Sequence, residues 1–245
     1  MSLKRKRSLG DVVQSAMVKF IIGEAGVECN VHEAVIANLS EPFQAFLTSK
    51  RQESTEGSVV WKDLEMQTFA AFVEYVYTQD FTIEDPDEMS DHHESTLLGF
   101  LSKGKKCAAM GYAKSYHDVK NDMRKAIRHS HEYYMSIARL YDLANRYDLS
   151  ELVDCCIEKV RIGLANTSFE DVEALTTWAL LEFIWPKTNI GDKFREVLLR
   201  VILIDLRTAM ESEEAAHVLE NTPEISTALL LMAPHSFWQE LTSYY

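Results

Sequence analysis

The first third of the chain alternates between strand-like and helix-like hydrophobic patterns. Residues 17–22 are β-branched or aromatic at most positions and stop at a glycine, which is typical of a strand. Apolar and polar side chains alternate over residues 27–32, which predicts a second, half-buried strand. Because the turn-forming residues 23–26 lie between them, the two strands are predicted to form a hairpin. A third short strand is predicted at residues 59–61.

Two helices are predicted between the second strand and the third. Residues 32–39 have apolar positions at helical intervals, and a further helix is predicted to start at Ser40, a typical N-cap, with Pro42 in its first turn. Its apolar face is Phe43, Phe46 and Leu47. The polar residues 48–58 predict a loop.

Another helix is predicted after the third strand, with Asp63 as its cap. Its expected apolar face is Met66, Phe69, Ala70, Val73 and Tyr77.

Composition narrows the class of protein. The chain has 245 residues, of which 47% are hydrophobic and 10% aromatic, as in a globular protein of one or two domains. No apolar run approaches the roughly 20 residues that cross a bilayer. Four cysteines without a C-x-x-C pair favour the cytoplasm or nucleus as the location. A net charge of −13 disfavours general nucleic-acid binding, because phosphate would be repelled.

Charge is unevenly distributed along the chain. Residues 81–96 carry six acidic and no basic side chains, whereas residues 97–128 have a net charge of +6. Such opposed blocks indicate a solvated insertion, and two interpretations stay open, a disordered excursion or a segment with helical turns. The basic residues 4–7 form either a nuclear import signal or an ordinary charged terminus.

The remaining chain is predicted to be helical. Apolar residues recur at Ile137, Leu140, Tyr141 and Ala144, and Asp148 with Glu151 fits a capping box for the next helix. That helix has an apolar face of Leu149, Leu152, Val153, Cys156, Ile157, Val160 and Leu164. Farther on, Ser168 can cap a helix that ends near Pro186, another helix runs around residues 194–203, and Pro223 and Pro234 separate two shorter helices.

Several of these stretches resemble motifs of one family. Residues 31–36 (Val-His-Glu-Ala-Val-Ile) are similar to Val-His-Lys-x-Val-Leu, and residues 68–78 to Phe-x-x-x-Leu-x-Tyr-x-Tyr-Thr. Residues 10–13 resemble an opening Ser-Asp-Val, residues 39–47 resemble Arg-Ser-x-Tyr-Phe-x-x-Met, and residues 141–152 resemble a Leu-Ala-x-x-Tyr-x-x-x-x-Leu helix pair. In this order they resemble the BTB/POZ domain, and the long insert resembles those of filamentous-fungal BTB proteins.

The resemblance implies an α+β protein with the BTB/POZ fold, in which a small sheet of about three strands packs with helical hairpins. We expect a basic tail at 1–10 and a BTB/POZ domain at 11–163, matched over 11–82 and 131–163 and interrupted by the charged insertion 83–130. An all-helical C-terminal region is expected at 164–245. This region does not match a kelch, MATH or zinc-finger partner domain.

The resemblance also implies a partner-binding loop. Cullin-binding members carry hydrophobic-x-Glu after the Phe-rich helix, and the aligned residues here are Arg51, Gln52 and Glu53. Glu53 is kept, whereas Arg51 replaces the hydrophobic anchor. Loss of an apolar plug would cost about 1–3 kcal/mol or more, which argues against tight cullin binding. Self-association is also implied, although the short polar stretch before Asp11 argues against a swapped N-terminal segment.

The residues that could take part in catalysis or metal binding are each better explained by a structural role. His92 and His93 are adjacent and lack a second ligand pair, His129 and His131 would point apart on a helix, and neither pair predicts a metal site. His32 is expected to make a structural hydrogen bond. The neighbours Cys155 and Cys156 lie mid-helix, as one idle and one buried thiol. No phosphate-binding glycine loop and no nucleophile elbow occurs.

We therefore expect no enzyme, no cofactor and no membrane association. The predicted function is a protein–protein interaction module, as a scaffold or as a substrate adaptor for a cullin-type ubiquitin ligase. The alternative is a nuclear transcription-associated factor that contacts nucleic acid through its basic tail and basic insert.

Overall fold

A computed structural model of the chain describes residues 8–53, 57–85, 130–166, 171–204 and 206–233. Residues 4–7 of the basic tail, residues 86–129 of the charged insertion, the Ser168 cap and the segment after residue 233 lie outside these ranges. The chain divides into two compact units. The first comprises residues 1–83 and 139–156, and the second comprises residues 84–138 and 157–245.

The first unit contains a three-stranded sheet. Its strands are β1 (Met17–Ile22), β2 (Val27–His32) and β3 (Val59–Trp61), in the order β2-β1-β3. β1 pairs antiparallel with β2 and parallel with β3. Gly23 and Gly26 have φ of +69° and +65° in the hairpin turn, a region that favours glycine. The predicted hairpin, the three strands and the α+β class are confirmed.

Helices make up most of the rest of the described chain. Those near the sheet are α1 (Leu9–Val13), α2 (Glu33–Ile36), α3 (Glu41–Glu53) and α4 (Met66–Thr78). They are followed by α5 (His131–Arg146) and α6 (Ser150–Asn166). The C-terminal part contains α7 (Asp171–Ile184), the 3-10 turn Trp185–Lys187, α8 (Lys193–Ile204), α9 (Leu206–Met210), α10 (Glu213–Asn221) and α11 (Glu224–Met232).

The first turns of the helices show which of the predicted N-caps form. The Ser40 cap is confirmed, because its Oγ accepts the N–H of Phe43 at 3.1 Å and donates to the carbonyl of Tyr147 at 2.5 Å. The Asp63 cap is wrong: Glu65 is the N-cap residue of α4, and a carboxylate oxygen of Asp63 lies 3.5 Å from Arg146 instead.

The capping box at Asp148 is also wrong, because α6 begins two residues later, at Ser150. Asp148 has φ of +52° in the link after α5, where Leu149 donates its N–H back to the carbonyl of Ala144. The residue therefore ends one helix rather than starting the next.

Aromatic side chains fill the core of the first unit. Tyr147 packs against Phe43 and Phe46, with ring centroids 5.6 and 4.9 Å apart. Phe43, Phe69 and Leu152, all predicted in the core, are fully buried, and Phe46 is half-buried. These contacts join residues that are about 100 positions apart in the sequence.

The predicted apolar face of α4 is only partly right. Phe69 is buried, but Ala70 is exposed and Tyr77 is 42% exposed. The buried face instead consists of Thr68, Phe69, Ala71, Phe72, Tyr75 and Val76. Phe72 and Tyr75 occupy the core, and Tyr77 lies at its edge.

The second unit is packed around apolar helix faces. Trp178 on α7 is fully buried, and its indole N–H donates to the carbonyl of Ala209 at 2.8 Å. On α8, Phe194, Leu198 and Val201 are all buried, and Val197 is half-buried. The Trp178 bond ties α7 to α9, and α7 also packs against α8.

The link between α7 and α8 is held by Arg195. Its Nε donates to Thr188 Oγ1 at 2.7 Å, and its Nη2 donates to the carbonyls of Trp185 and Thr188. Asp192 caps α8 by accepting the N–H groups of Phe194 and Arg195. These polar groups secure the connection after the predicted helix end near Pro186, which is confirmed.

Candidate protein-interaction surfaces

The three residues aligned with the partner-binding loop lie in the last turn of α3. The helix continues to Glu53, so the loop predicted for residues 48–58 begins later than expected. Arg51 is partly exposed, and Gln52 and Glu53 are exposed. The helical geometry means that these side chains fan out around the end of a rigid element rather than extending along a loop.

Arg51 is held by a carboxylate from another helix. Both Nη1 and Nη2 of Arg51 donate to Glu33 Oε1, at 3.0 and 3.1 Å. Glu33 is the first residue of α2, so the ion pair joins the start of α2 to the end of α3. The position expected from the resemblance to hold an apolar anchor is thus occupied by a paired cation.

Glu53 is bound within its own helix. Lys50 donates to its carboxylate at 2.9 Å, and the Ser49 hydroxyl donates at 3.2 Å. These hydrogen bonds, that of Lys50 first, hold the pKa of the Glu53 carboxyl below its usual value. The end of α3 therefore presents opposite charges that are already paired with each other.

Sequence reasoning did not find the Glu33–Arg51 pair. The two residues are 18 positions apart, with a helix break between them, so no helical spacing connects them. The Lys50–Glu53 pair, three positions apart on one helix, is the kind of contact that spacing does indicate.

His32 lies at the end of β2 beside Tyr77. The Tyr77 hydroxyl accepts the backbone N–H of His32 at 3.1 Å and lies 2.7 Å from His32 Nδ1. The predicted structural hydrogen bond of His32 is confirmed. The prediction that Tyr77 lies on the buried face of α4 is therefore wrong. Its hydroxyl binds the edge of the sheet instead.

The short helix α1 exposes apolar side chains. Leu9 is 77% exposed and Val13 is 63% exposed, whereas Val12 between them is buried. Ser8 caps the helix by accepting the N–H of Asp11 at 3.1 Å. Two large exposed apolar residues on one helix give the unit a surface suited to contact with another polypeptide.

The cysteines predicted to be structural are placed as expected. Cys156 is fully buried, and Cys155 is partly exposed, with its sulfur 3.8 Å from Asp80 Oδ1. Cys29 on β2 lies 3.9 Å from the sulfur of Met66. All three are thiols.

The histidine pairs weighed as metal ligands fall mostly outside the described residues. His92, His93 and His129 lie outside the described residues, and His131 Nδ1 is 3.4 Å from the hydroxyl of Thr176. Within the described ranges, no three His, Cys, Asp or Glu side chains form a group that could hold a metal ion. None of the described helices is both long enough and apolar enough to cross a bilayer.

Comparison with known families identifies the N-terminal fold. Residues 14–110 match the family model of the BTB/POZ domain. The chain carries a BTB/POZ domain. The match begins just before β1 and includes α4, so the sheet and the helices around it belong to a family of protein-interaction domains. A comparison with curated proteins found no match.

Proposed function

We propose that the chain is a non-enzymatic scaffold or substrate adaptor that acts in the cytoplasm or nucleus. Its BTB/POZ domain would span residues 11–163 and bind other polypeptides, and the helical region 164–245 would form a second part of the scaffold. The observation that carries the proposal is the end of α3, where Arg51, Gln52 and Glu53 are presented on a rigid helix within a BTB/POZ domain. Both charged members of this set are held in place by ion pairs.

Cullin binding is the adaptor role that can be tested by changing residues at the end of α3. A cullin pocket that accepts an apolar plug would here meet the guanidinium of Arg51, which is already paired with Glu33. Breaking that pair and burying the cation would cost more than the contact returns, so we expect weak binding by the natural sequence. Glu53 would remain available as the polar contact of the motif.

Substitution at Arg51 provides the experiment. Titration calorimetry with a purified cullin N-terminal domain would compare the natural chain with Arg51→Leu and Glu53→Ala. Burying a leucine side chain contributes about 1.5–3 kcal/mol, so Arg51→Leu should bind about tenfold tighter or more. Glu53→Ala should bind more weakly than the natural chain.

A matched control is Arg207→Leu on α9 of the second unit. This variant removes another arginine that is paired with a carboxylate, that of Glu211. It should leave cullin binding unchanged. If Arg51→Leu binds no more tightly than Arg207→Leu, the end of α3 is not a cullin contact and the adaptor role is refuted.

The nucleic-acid alternative stays a prediction, because residues 4–7 and 97–128 lie outside the described residues. DNA binding that falls steeply with rising salt would support it, and absence of binding at low salt would refute it.

A further inference from the structure

The connection between α7 and α8 contains a tight turn that exposes an isoleucine. Asp192 donates its N–H to the carbonyl of Asn189 at 3.1 Å, and Gly191 has φ of +86°, a region that favours glycine. Ile190 lies within the turn and is 99% exposed, more than any other large hydrophobic side chain of the described residues. This side chain therefore adds almost nothing to the core of its own unit and is accessible to another molecule.

Hydrogen bonds hold the turn on both sides. Arg195 is only 7% exposed, and its guanidinium donates to Thr188 Oγ1 and to the carbonyls of Trp185 and Thr188. The same guanidinium lies over the Trp185 ring, 4.1 Å from the ring centroid. Asp192 accepts two N–H groups at the start of α8. A side chain presented by such a preorganised support loses little conformational entropy when it binds.

Two exposed lysines flank the turn, Lys187 before it and Lys193 directly after it. Residues 164–245 carry 13 acidic and only five basic side chains, and Lys187, Lys193 and Arg195 are three of those five. The carboxylate of Asp192, which lies among them, is engaged by the N–H groups of α8. The turn therefore combines an exposed apolar side chain with cations in a region that is otherwise acidic.

We propose that the Ile190 tip, which consists of Ile190 with Lys187 and Lys193, binds a partner protein by inserting the isoleucine into an apolar pocket bordered by carboxylates. A pocket can desolvate the whole side chain, and carboxylates at its rim complement the two lysines. A lipid surface or a phosphate backbone would gain too few contacts from one apolar side chain and two lysines, and both repel a chain with a net charge of −13. The contact goes beyond the proposed cullin binding, because all of its residues lie in the second unit.

A photo-cross-linker would identify the partner. The full chain with Ile190→p-benzoylphenylalanine would be irradiated in an extract of its own cells. The matched control is Leu231→p-benzoylphenylalanine, because Leu231 on α11 of the same unit is also strongly exposed, at 83%. We expect an adduct with one protein at position 190 that does not form at position 231. Mass spectrometry should map this adduct to a peptide of the partner that contains aspartate or glutamate.

Titration of the purified partner then tests the apolar part of the contact. Ile190→Ser should bind this protein about tenfold more weakly than the natural chain, or weaker still, because the pocket loses its apolar occupant. Leu231→Ser should bind as tightly as the natural chain. Both side chains are largely exposed, so neither change should alter the free energy of unfolding.

The charged part of the contact is tested by Lys193→Glu. This variant should weaken binding about threefold or more at low ionic strength and much less in about 1 M salt, where charges are screened. Lys193 is the first residue of α8, where a carboxylate stabilises the helix, so weaker binding would not reflect a weakened fold. Lys62→Glu, an exposed change in the first unit, is the matched control and should leave binding unchanged.

Three results would overturn the proposal. The first is the absence of a protein adduct specific to position 190, and the second is an adduct there with lipid or nucleic acid. The third is a purified partner that binds Ile190→Ser as tightly as it binds the natural chain. None of these results bears on the cullin titration, which changes residues of the first unit, and Ile190→Ser should leave that titration unchanged.

Discussion

Gly163→Ala tests how closely α5 and α6 approach each other within the second unit. A methyl group built on Gly163 would lie 2.8 Å from the hydroxyl oxygen of Tyr134 and 2.9 Å from its Cε1. Real side chains essentially never make contacts this short, and Tyr134 is only 2% exposed, so its ring has no solvent to move into. The glycine thus permits a contact between the backbone of α6 and the ring on α5.

Two effects of opposite sign decide how Gly163→Ala changes the free energy of unfolding. Alanine is favoured over glycine inside a helix by about 1 kcal/mol. Overpacking of a filled core costs about 1–3 kcal/mol, and two contacts below 3 Å favour the upper part of that range. The free energy of unfolding should therefore fall by about 1–2 kcal/mol, measured by urea denaturation followed by circular dichroism.

Two further variants make the result specific. Gly10→Ala, on the exposed helix α1, meets only the Ser8 hydroxyl at 3.7 Å and should leave stability unchanged or raise it. In the double variant with Tyr134→Leu, the Gly163→Ala penalty should shrink by about 1 kcal/mol or more, because the ring that it strikes is gone. A Gly163→Ala chain as stable as the natural one would refute the close approach.

Two other predictions concern the first unit. Ser40→Ala removes the N-cap of α3 and the bond to the Tyr147 carbonyl, so it should lower the free energy of unfolding by about 1–3 kcal/mol, whereas Ser49→Ala, on the exposed side of the same helix, should change it by less than about 0.5 kcal/mol. Equal effects of the two serine substitutions in urea denaturation would contradict the cap. Burial, and then the charge of Glu151, raise the pKa of Tyr75, so the unfolded chain releases this proton first as the pH rises above about 10, and stability that is fully present below that pH is progressively lost. Urea denaturation at increasing alkaline pH should show a shallower loss for Tyr75→Phe, and an identical loss in both proteins would refute the assignment.

Local patterns along the sequence determined much of the architecture. The hairpin follows from a strand rich in β-branched and aromatic residues and an alternating strand, joined by Gly23 and Gly26, and α3 begins where Ser40 can bind the free N–H of Phe43. The burial of Ile137, Leu140, Tyr141 and Ala144 follows from their spacing alone, because residues three and four apart share a helix face. In each case the decisive interactions lie within a few residues of one another, where the sequence order brings them together.

Only the tertiary structure decided which of several residues with suitable chemistry form a given cap, core contact or ion pair. Asp148 has the chemistry of a cap but ends α5, and Tyr77 has the spacing of a core residue but binds the edge of β2. The Glu33–Arg51 pair likewise depends on how separate elements meet. Local spacing cannot rank such alternatives, because the competing partners come from distant parts of the chain and the space left around buried side chains such as Phe72 determines which of them fits.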